Sequence, residues 1–398
     1  MKILHTADWH LGKKLGDFDR IHEQKAVLNE ICQIADQENV DAVLIAGDLY
    51  DTFSPSNEAA DLFYKTVQKL SKNGKRAVIG IAGNHDSPQF VENPSPLALA
   101  NGIILTGYPL SLVPNFETES GIRLLRSEAG FVEIYLPNFD FPLRLILTAY
   151  PSESRLKTIF GDEHTDLRHY LEKHWHYLAQ KYCDDNGVNV LMAHLFMAQE
   201  GDQTAEEPED EKSISIGGAS IVFDTLIPEK IQYTALGHLH RFHFVGNSQK
   251  TVYSGSLLEY SFSEANQQKY VSVVELLPKQ AAKIAKIPIF SGKKLERKTF
   301  EATQALSWLK QNPDVFVELS IESDTFLSSE IKKQLYQAHE GIVHIIPKIK
   351  GEITEKSKKE IDLSKSRQEL FLEYFQSKKD GKKPSEELMA LFQEISNS

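Results

Sequence analysis

The chain has 398 residues, 41% of them hydrophobic and 25% charged, with a formal net charge of -12. That length supports a large core and more than one domain, and the acidic balance excludes broad charge-driven binding to nucleic acid, though not a local basic groove or one helped by metal ions. The two cysteines, Cys32 and Cys183, suit a reducing cytoplasm and give no disulfide framework, no apolar run is long enough for a membrane span, and Asp8 and His10 come too early for a signal peptide.

Lys2 to Ala7 reads as a strand that ends in Asp8 and His10. Asp19 to Asp36 has Ile21, Ala26, Val27, Leu28, Ile31, Ile34 and Ala35 near helical spacing. Ala42-Val43-Leu44-Ile45 is short and wholly apolar, as in a strand buried on both faces, and Gly47 lets the chain turn so that Asp48 sits at its end. Asn57 to Lys72 reads as a second helix, closed by Asn73-Gly74, and Val78 to Gly83 as a third strand leading into Asn84-His85-Asp86. This alternation predicts βαβ units and a largely parallel sheet.

From Gly102 to Tyr150 the pattern changes to short strands, among them Phe131 to Leu136 and Leu143 to Ala149, which predicts a second sheet packed on the first. Asp162 to Tyr182 reads as a helix whose His164, His169, His174 and His176 face solvent. Val188 to Ala193 is a strand ending at His194, and Tyr233 to Gly237 one ending at His238 and His240. Between them Glu200 to Glu211 is acidic and reads as a solvated segment. Tyr253 to Leu258 and Tyr270 to Leu277 close the main domain. Between Val271 and Phe300 seven basic residues face two acidic ones, which suits either a solvated linker or a phosphate-facing lid. Phe300 to Lys348 reads as a small α/β unit with a helix at Ala302 to Gln311 and strands at Val315 to Ile321 and Gly341 to Ile346. Gly351 to Asp362 reads as a linker, and two short amphipathic helices follow, presenting Phe371, Phe375, Leu388 and Phe392.

Strand ends thus gather seven donors: Asp8, His10, Asp48, Asn84, His194, His238 and His240. Ligands collect at that edge of open α/β sheets. Seven donors are too many for one tetrahedral ion but serve two divalent ions if the two oxygens of Asp48 bridge them. Oxygen and imidazole without thiolate favour Mn2+, Fe2+, Mg2+ or Zn2+ over soft metals. Such a pair suits phosphoryl transfer. His85 stands apart as a candidate acid for a leaving alkoxide. Its ring would be oriented by a carboxylate, from Asp51 or, in competition, Asp86.

Asp8-x-His10, Gly47-Asp48-x-x-Asp51, Gly83-Asn84-His85-Asp86, Ala193-His194 and Gly237-His238-x-His240 together resemble the motifs of the calcineurin-like metallophosphoesterases. The fuller wording, His5-Thr6-Ala7-Asp8-Trp9-His10-Leu11-Gly12 and Tyr253-Ser254-Gly255-Ser256 with Ser261-Phe262-Ser263-Glu264, is similar to the bacterial nuclease branch of that family. The resemblance is specific from Met1 to about Leu277. It implies an α/β fold, a four-layer αββα sandwich at 1–277, a capping domain at 278–350, and a linker with a helical pair at 351–398. It also implies Asp8, His10, Asp48 and His240 on one ion and Asp48, Asn84, His194 and His238 on the other, preferably Mn2+, with His85 as acid or phosphate-positioning residue. The expected function is a DNA exonuclease and endonuclease of recombination and repair, homodimeric, and bound by its tail to an ABC-type ATPase with a long coiled coil. The competing expectations are a phosphoesterase for a small phosphodiester or a phosphoprotein, and a non-catalytic scaffold for an ATPase.

Overall fold

The structure, a computed structural model, describes residues 1–152, 155–156, 166–202, 221–323 and 327–349, and in the tail 371–372, 375, 384 and 388–389. The acidic segment at 203–211, His164, the linker at 351–362 and Phe392 lie outside the described residues. By contacts, Met1–Lys348 is one unit and Ile349–Ser398 another. In the tail Phe371 and Phe375 bring their rings to 6.2 Å.

The first sheet has six strands. β1 (Lys2–Thr6), β2 (Ala42–Ala46), β3 (Ala77–Ile81) and β4 (Ile103–Thr106) run parallel. They are joined by α1 (Ile21–Gln37), α2 (Asn57–Ser71) and the short α3 (Pro88–Glu92) and α4 (Ser95–Leu99). The second sheet has seven strands. β5 (Arg123–Glu128), β6 (Phe131–Tyr135) and β7 (Leu143–Thr148) are antiparallel neighbours. β8 (Val188–His194) follows α5 (Leu167–Tyr182) and lies parallel to β7. The two-residue strands β9 (Met197–Ala198) and β10 (Val222–Phe223) pair with each other. β11 (Tyr233–Gly237) then lies parallel to β8, with β12 (His243–Phe244) and β13 (Thr251–Tyr253) at the far edge. β14 (Tyr270–Glu275) returns to the first sheet, antiparallel to β1.

Side-chain alternation along the second sheet builds the layers. Val190 and Met192 of β8 and Leu143, Leu145 and Leu147 of β7 point into a core shared with Val43, Leu44 and Ile45 of β2. Leu191, Ala193 and Ile146 point the other way, onto Leu171, Trp175 and Leu178 of α5. On the outer side of the first sheet α1 adds Val27, Leu28 and Ile31 to the core, and α2 adds Phe63, Val67 and Leu70. The order is therefore helices, sheet, sheet, helix, the expected α/β sandwich. Helix α2 also starts and stops as its sequence requires: Ser56 caps Ala59 N–H, and Lys72 adopts a left-handed conformation at the end.

The basic stretch after Leu277 is not the solvated linker of the first expectation. It forms two strands: β15 (Lys283–Pro288), antiparallel to β14 in the first sheet, and β16 (Lys294–Glu301). Lys283, Lys286 and Lys294 are exposed on these edge strands, a placement that discourages edge-to-edge association. β16 pairs in parallel with β17 (Val315–Ser323), which neighbours β18 (Ile342–Ile349). α6 (Ala302–Gln311), opened by a capping box of Glu301 and Gln304, packs on that sheet together with α7 (Ser329–Ala338), a helix with too few apolar residues to be legible in the sequence. Ala305, Leu309, Val317, Leu319, Ile321 and Leu335 form its core. A separate cluster joins this unit to the loops of the main sheets: Leu295 and Phe316 pack with Leu15 and Phe262. Among the described residues no helix is long and apolar enough to cross a membrane.

Candidate metal centre

The carboxyl ends of five parallel strands meet where the two sheets face each other. Asp8 and His10 follow β1, Asp48 follows β2, Asn84 and His85 follow β3, His194 ends β8, and His238 and His240 follow β11. Strand ends from opposing sheets approach so closely that side chains are excluded at two glycines. A Cβ on Gly237 would lie 1.8 Å from the Ala46 carbonyl oxygen, and one on Gly47 would lie 2.2 Å from His194 Nδ1. The loops are cross-braced by main-chain bonds from Asp8 N–H to the Gly47 carbonyl (3.0 Å) and from His10 N–H to the Asp48 carbonyl (2.9 Å). Asp8 (φ 53°), His10 (43°), Asp48 (49°) and His238 (112°) all take left-handed backbone, a costly conformation for residues with a Cβ that clusters at functional sites.

The structure brings all seven expected donors together. His10 Nε2 and His240 Nε2 face each other at 3.0 Å, and Asp48 Oδ2 is 3.4 Å from the first. The same Asp48 oxygen is 3.5 Å from His194 Nε2, which in turn is 2.9 Å from Asn84 Oδ1. His238 Nδ1 reaches that amide oxygen at 3.1 Å. Asp8, His10 and His240 lie close enough to hold an ion, as do Asp8, Asp48 and His194. Two observations fit this pocket to cations. Asp8 Oδ2 is buried without a hydrogen-bond partner, and two imidazole nitrogens meet head to head, a contact that calls for a proton or a cation between them.

Residues 1–242 match the family described as calcineurin-like phosphoesterase. The chain belongs to that family. Over its full length it is 34% identical to the SbcD subunit of nuclease SbcCD from Bacillus subtilis, covering 98% of that protein. The Staphylococcus epidermidis protein of the same name is 31% identical over 74% of this chain and 71% of its own. Among solved structures, a dimetal phosphatase from Danio rerio covers 73% of this chain and 97% of its own at 12% identity and a TM-score of 0.37.

As a metal-dependent phosphoesterase the chain needs its ligands stripped of protons. Burial alone would raise the Asp48 carboxyl, but the charges of His194 and His10 overcome it and hold the group well below the usual carboxylate range. Asp8 behaves oppositely. Burial pushes it up to about 7, only partly offset by His194 and His240. Burial also drives His10 well down. It opposes protonation of His194 too, but there Asp48 and then Asp8 prevail and lift the group to about 9.

Hydrogen bonds at the far ring nitrogens fix the tautomers. His194 Nδ1 donates to the Ala46 carbonyl at 2.8 Å, turning Nε2 toward Asn84 and Asp48. The partner of His85 differs from both carboxylates expected for it. His85 Nδ1 lies 3.0 Å from the main-chain carbonyl of Asp51. The Asp51 carboxylate is engaged by Lys13 at 3.2 Å and lies 3.7 Å from His10 Nδ1. Asp86 is buried under three backbone donors, Leu49 (3.0 Å), Tyr50 (2.9 Å) and Gly83 (2.7 Å), and so ties the Asp48 loop to the Asn84 loop. Beneath it the Arg155 guanidinium donates to the carbonyls of Gly83 (3.0 Å) and Asp86 (2.7 Å). His169 and His176 are exposed, as expected, whereas His174 is half-buried and stacked on Tyr170.

Sequence reasoning gave no role to Glu264 or Lys269. Both are buried, and Glu264 Oε1 takes the Nδ1–H of His240 at 3.1 Å. The motif wording included Glu264, but no sequence period marks a carboxylate in a short 3-10 turn.

Proposed function

We propose that this chain is a Mn2+-dependent DNA nuclease, an exonuclease on double-stranded ends and an endonuclease on single strands and hairpins. It works in recombination and repair with an ABC ATPase of the SbcC kind. The observation that carries the reading is the likeness along 100% of this chain to a protein named as part of a nuclease, together with the convergence of the seven donors. Asp8, His10, Asp48 and His240 would hold one ion, and Asp48, Asn84, His194 and His238 the other. When bound, such a pair would supply positive charge to the phosphoryl oxygens and acidify water. Asp48, buried and kept ionised, is suited to serve both positions because its Oδ2 is within 3.5 Å of a histidine of each set. His85, half-exposed and held by the Asp51 carbonyl, hands a proton to the leaving oxygen. The unit at 278–350 caps the nuclease domain at 1–277, the tail at 351–398 docks on the ATPase, and the protein works in the cytoplasm as a homodimer.

The test is a Mn2+ assay on a blunt duplex and a DNA hairpin beside a chromogenic phosphodiester. Cleavage of both DNAs, abolished by chelator, is expected. Turnover of the small phosphodiester with DNA left intact would overturn the reading in favour of a small-molecule enzyme. Truncation after Lys350 should abolish co-purification with the ATPase and leave DNA cleavage in place.

A further inference from the structure

The histidines of the site are oriented in unequal ways. His194 is held by a backbone carbonyl, and Nδ1 of His10 is buried with no hydrogen-bond partner. His240, by contrast, hands its Nδ1 to a buried carboxylate, Glu264, at 3.1 Å. That carboxylate is saturated. Its Oε1 also takes Tyr260 N–H at 3.1 Å and the Ser261 hydroxyl at 3.4 Å, while its Oε2 takes Lys269 Nζ at 2.5 Å and the Ser256 hydroxyl at 3.3 Å. Lys269, itself buried, donates to the His240 carbonyl at 2.9 Å and to Ser256 Oγ at 3.0 Å. One acid–base pair therefore grips both the ring and the main chain of His240.

We propose that Glu264, clamped by Lys269, is a positioning residue that fixes the ring of His240 and selects the occupancy of one of the two ion positions. The proposal rests on the metal-dependent reading above. A carboxylate fully committed to incoming donors can only accept from Nδ1, so that nitrogen carries the proton and Nε2 keeps its lone pair. Nε2 is the atom that meets His10 Nε2, inside the Asp8, His10 and His240 group. In the second group, Asp8, Asp48 and His194, the histidine is locked by the main chain instead. Losing Glu264 should weaken one ion and spare the other. Removing such a partner lowers metal affinity by about 10- to 100-fold.

The experiment uses the full-length protein, stripped of metal and titrated with Mn2+, with affinity read by calorimetry and content by elemental analysis after gel filtration. Wild type should hold two ions per chain. Glu264→Gln should keep one at unchanged affinity and lose about 10- to 100-fold for the other, while Glu264→Asp recovers part of the loss. Glu264→Gln leaves the Lys269 charge buried and unpaired, so the double variant Glu264→Gln/Lys269→Met serves as a second, neutral version that removes this source of misfolding. Thermal unfolding of the metal-free proteins identifies variants that fold, and the folded ones decide the question. Two ions at wild-type affinity in a folded variant overturn the role of Glu264 alone. Equal loss of both ions in a folded variant overturns its selectivity. A wild type that binds no ion overturns the metal reading itself.

Discussion

His85 takes its ring orientation from the main chain of Asp51, whose carbonyl oxygen lies 3.0 Å from Nδ1. The carboxylate of the same residue is occupied elsewhere, by Lys13 at 3.2 Å. Replacing that carboxylate leaves the carbonyl in place. Asp51→Asn should therefore change the rate of DNA cleavage by less than about tenfold, whereas His85→Gln, with the proposed proton donor gone, should lose about a hundred- to ten-thousand-fold. Both variants should keep full metal content by elemental analysis. A loss for Asp51→Asn as deep as for His85→Gln would return orientation to the carboxylate.

Asp48 touches one histidine of each proposed ion position, His10 at 3.4 Å and His194 at 3.5 Å. Asp48→Ala should empty both positions, where His194→Ala or His240→Ala weakens chiefly one. Metal content per chain after gel filtration measures this. One ion retained by Asp48→Ala would show that the carboxylate serves a single position.

In the metal-free protein His194, with burial opposing protonation and Asp48 prevailing, is lifted to about 9, and Asp8 is pushed by burial to about 7. An ion must displace these protons, so affinity rises with pH until each group is already deprotonated. Between pH 7 and 9 the one proton on His194 gives a slope of about tenfold per pH unit, and below 7 the proton on Asp8 makes it steeper. Calorimetric titration with Mn2+ in two buffers of different ionisation enthalpy at pH 7.5 should report close to one proton released. No proton released would place His194 neutral in the metal-free protein.

Glu128 on β5 receives Lys181 Nζ and the Tyr177 hydroxyl from α5, each at 2.8 Å, and the Tyr182 hydroxyl as well. The Lys181 bond is the largest cause holding its carboxyl down at about 2, from an ordinary 4.5. A depressed carboxylate stabilises the fold fully above its unfolded value and loses that effect as pH falls through the folded one. Glu128→Gln should lower Tm by about 1–3 °C at pH 7, as for other partly exposed pairs, with the gap closing between pH 4.5 and 2. A gap that persists at pH 2 would assign the effect to packing.

At Gly237 an added methyl would stand 1.8 Å from a backbone oxygen of the opposing sheet, an atom with no room to retreat. Gly237→Ala should cost about 3 kcal/mol, the upper end for overpacking, read as a shift in the urea midpoint of the metal-free protein. Metal affinity should fall with it, since Gly237 precedes His238.

The sandwich was legible because buried parallel strands are short apolar runs separated by helices with one apolar face, and Ala42 to Ala46 between α1 and α2 is such a run. The donors were legible because Asp, His and Asn recur together after five apolar runs, where one alone would read as a turn residue, and the structure brings all seven together. What the sequence hid is what side-chain identity cannot encode. The Asp51 carbonyl that holds His85 is present in any residue, so only coordinates reveal it. Glu264 and Lys269 sit 24 and 29 residues beyond His240 and meet it only through the turn at Phe262–Glu264. β16 falls in the stretch that reads as a solvated linker or a phosphate-facing lid because Lys294-Leu295-Glu296-Arg297 is mostly charged, yet Leu295 is wholly buried and alternation does the rest.

Asp8, His10, Asp48 and His238 each combine a proposed ligand atom with a left-handed backbone. Two independent filters therefore act on every substitution at these positions. A replacement must offer a metal-binding atom and must also tolerate that conformation, which β-branched side chains do poorly and asparagine does well. Drift at these four positions is accordingly narrowed to a short alphabet in which Asp, Asn and His remain and Glu, though chemically a carboxylate, carries a conformational handicap. The centre is thus guarded by its main chain as much as by its chemistry, and a designer seeking another metal there would do better to edit Asn84 or His194, which stand on ordinary backbone.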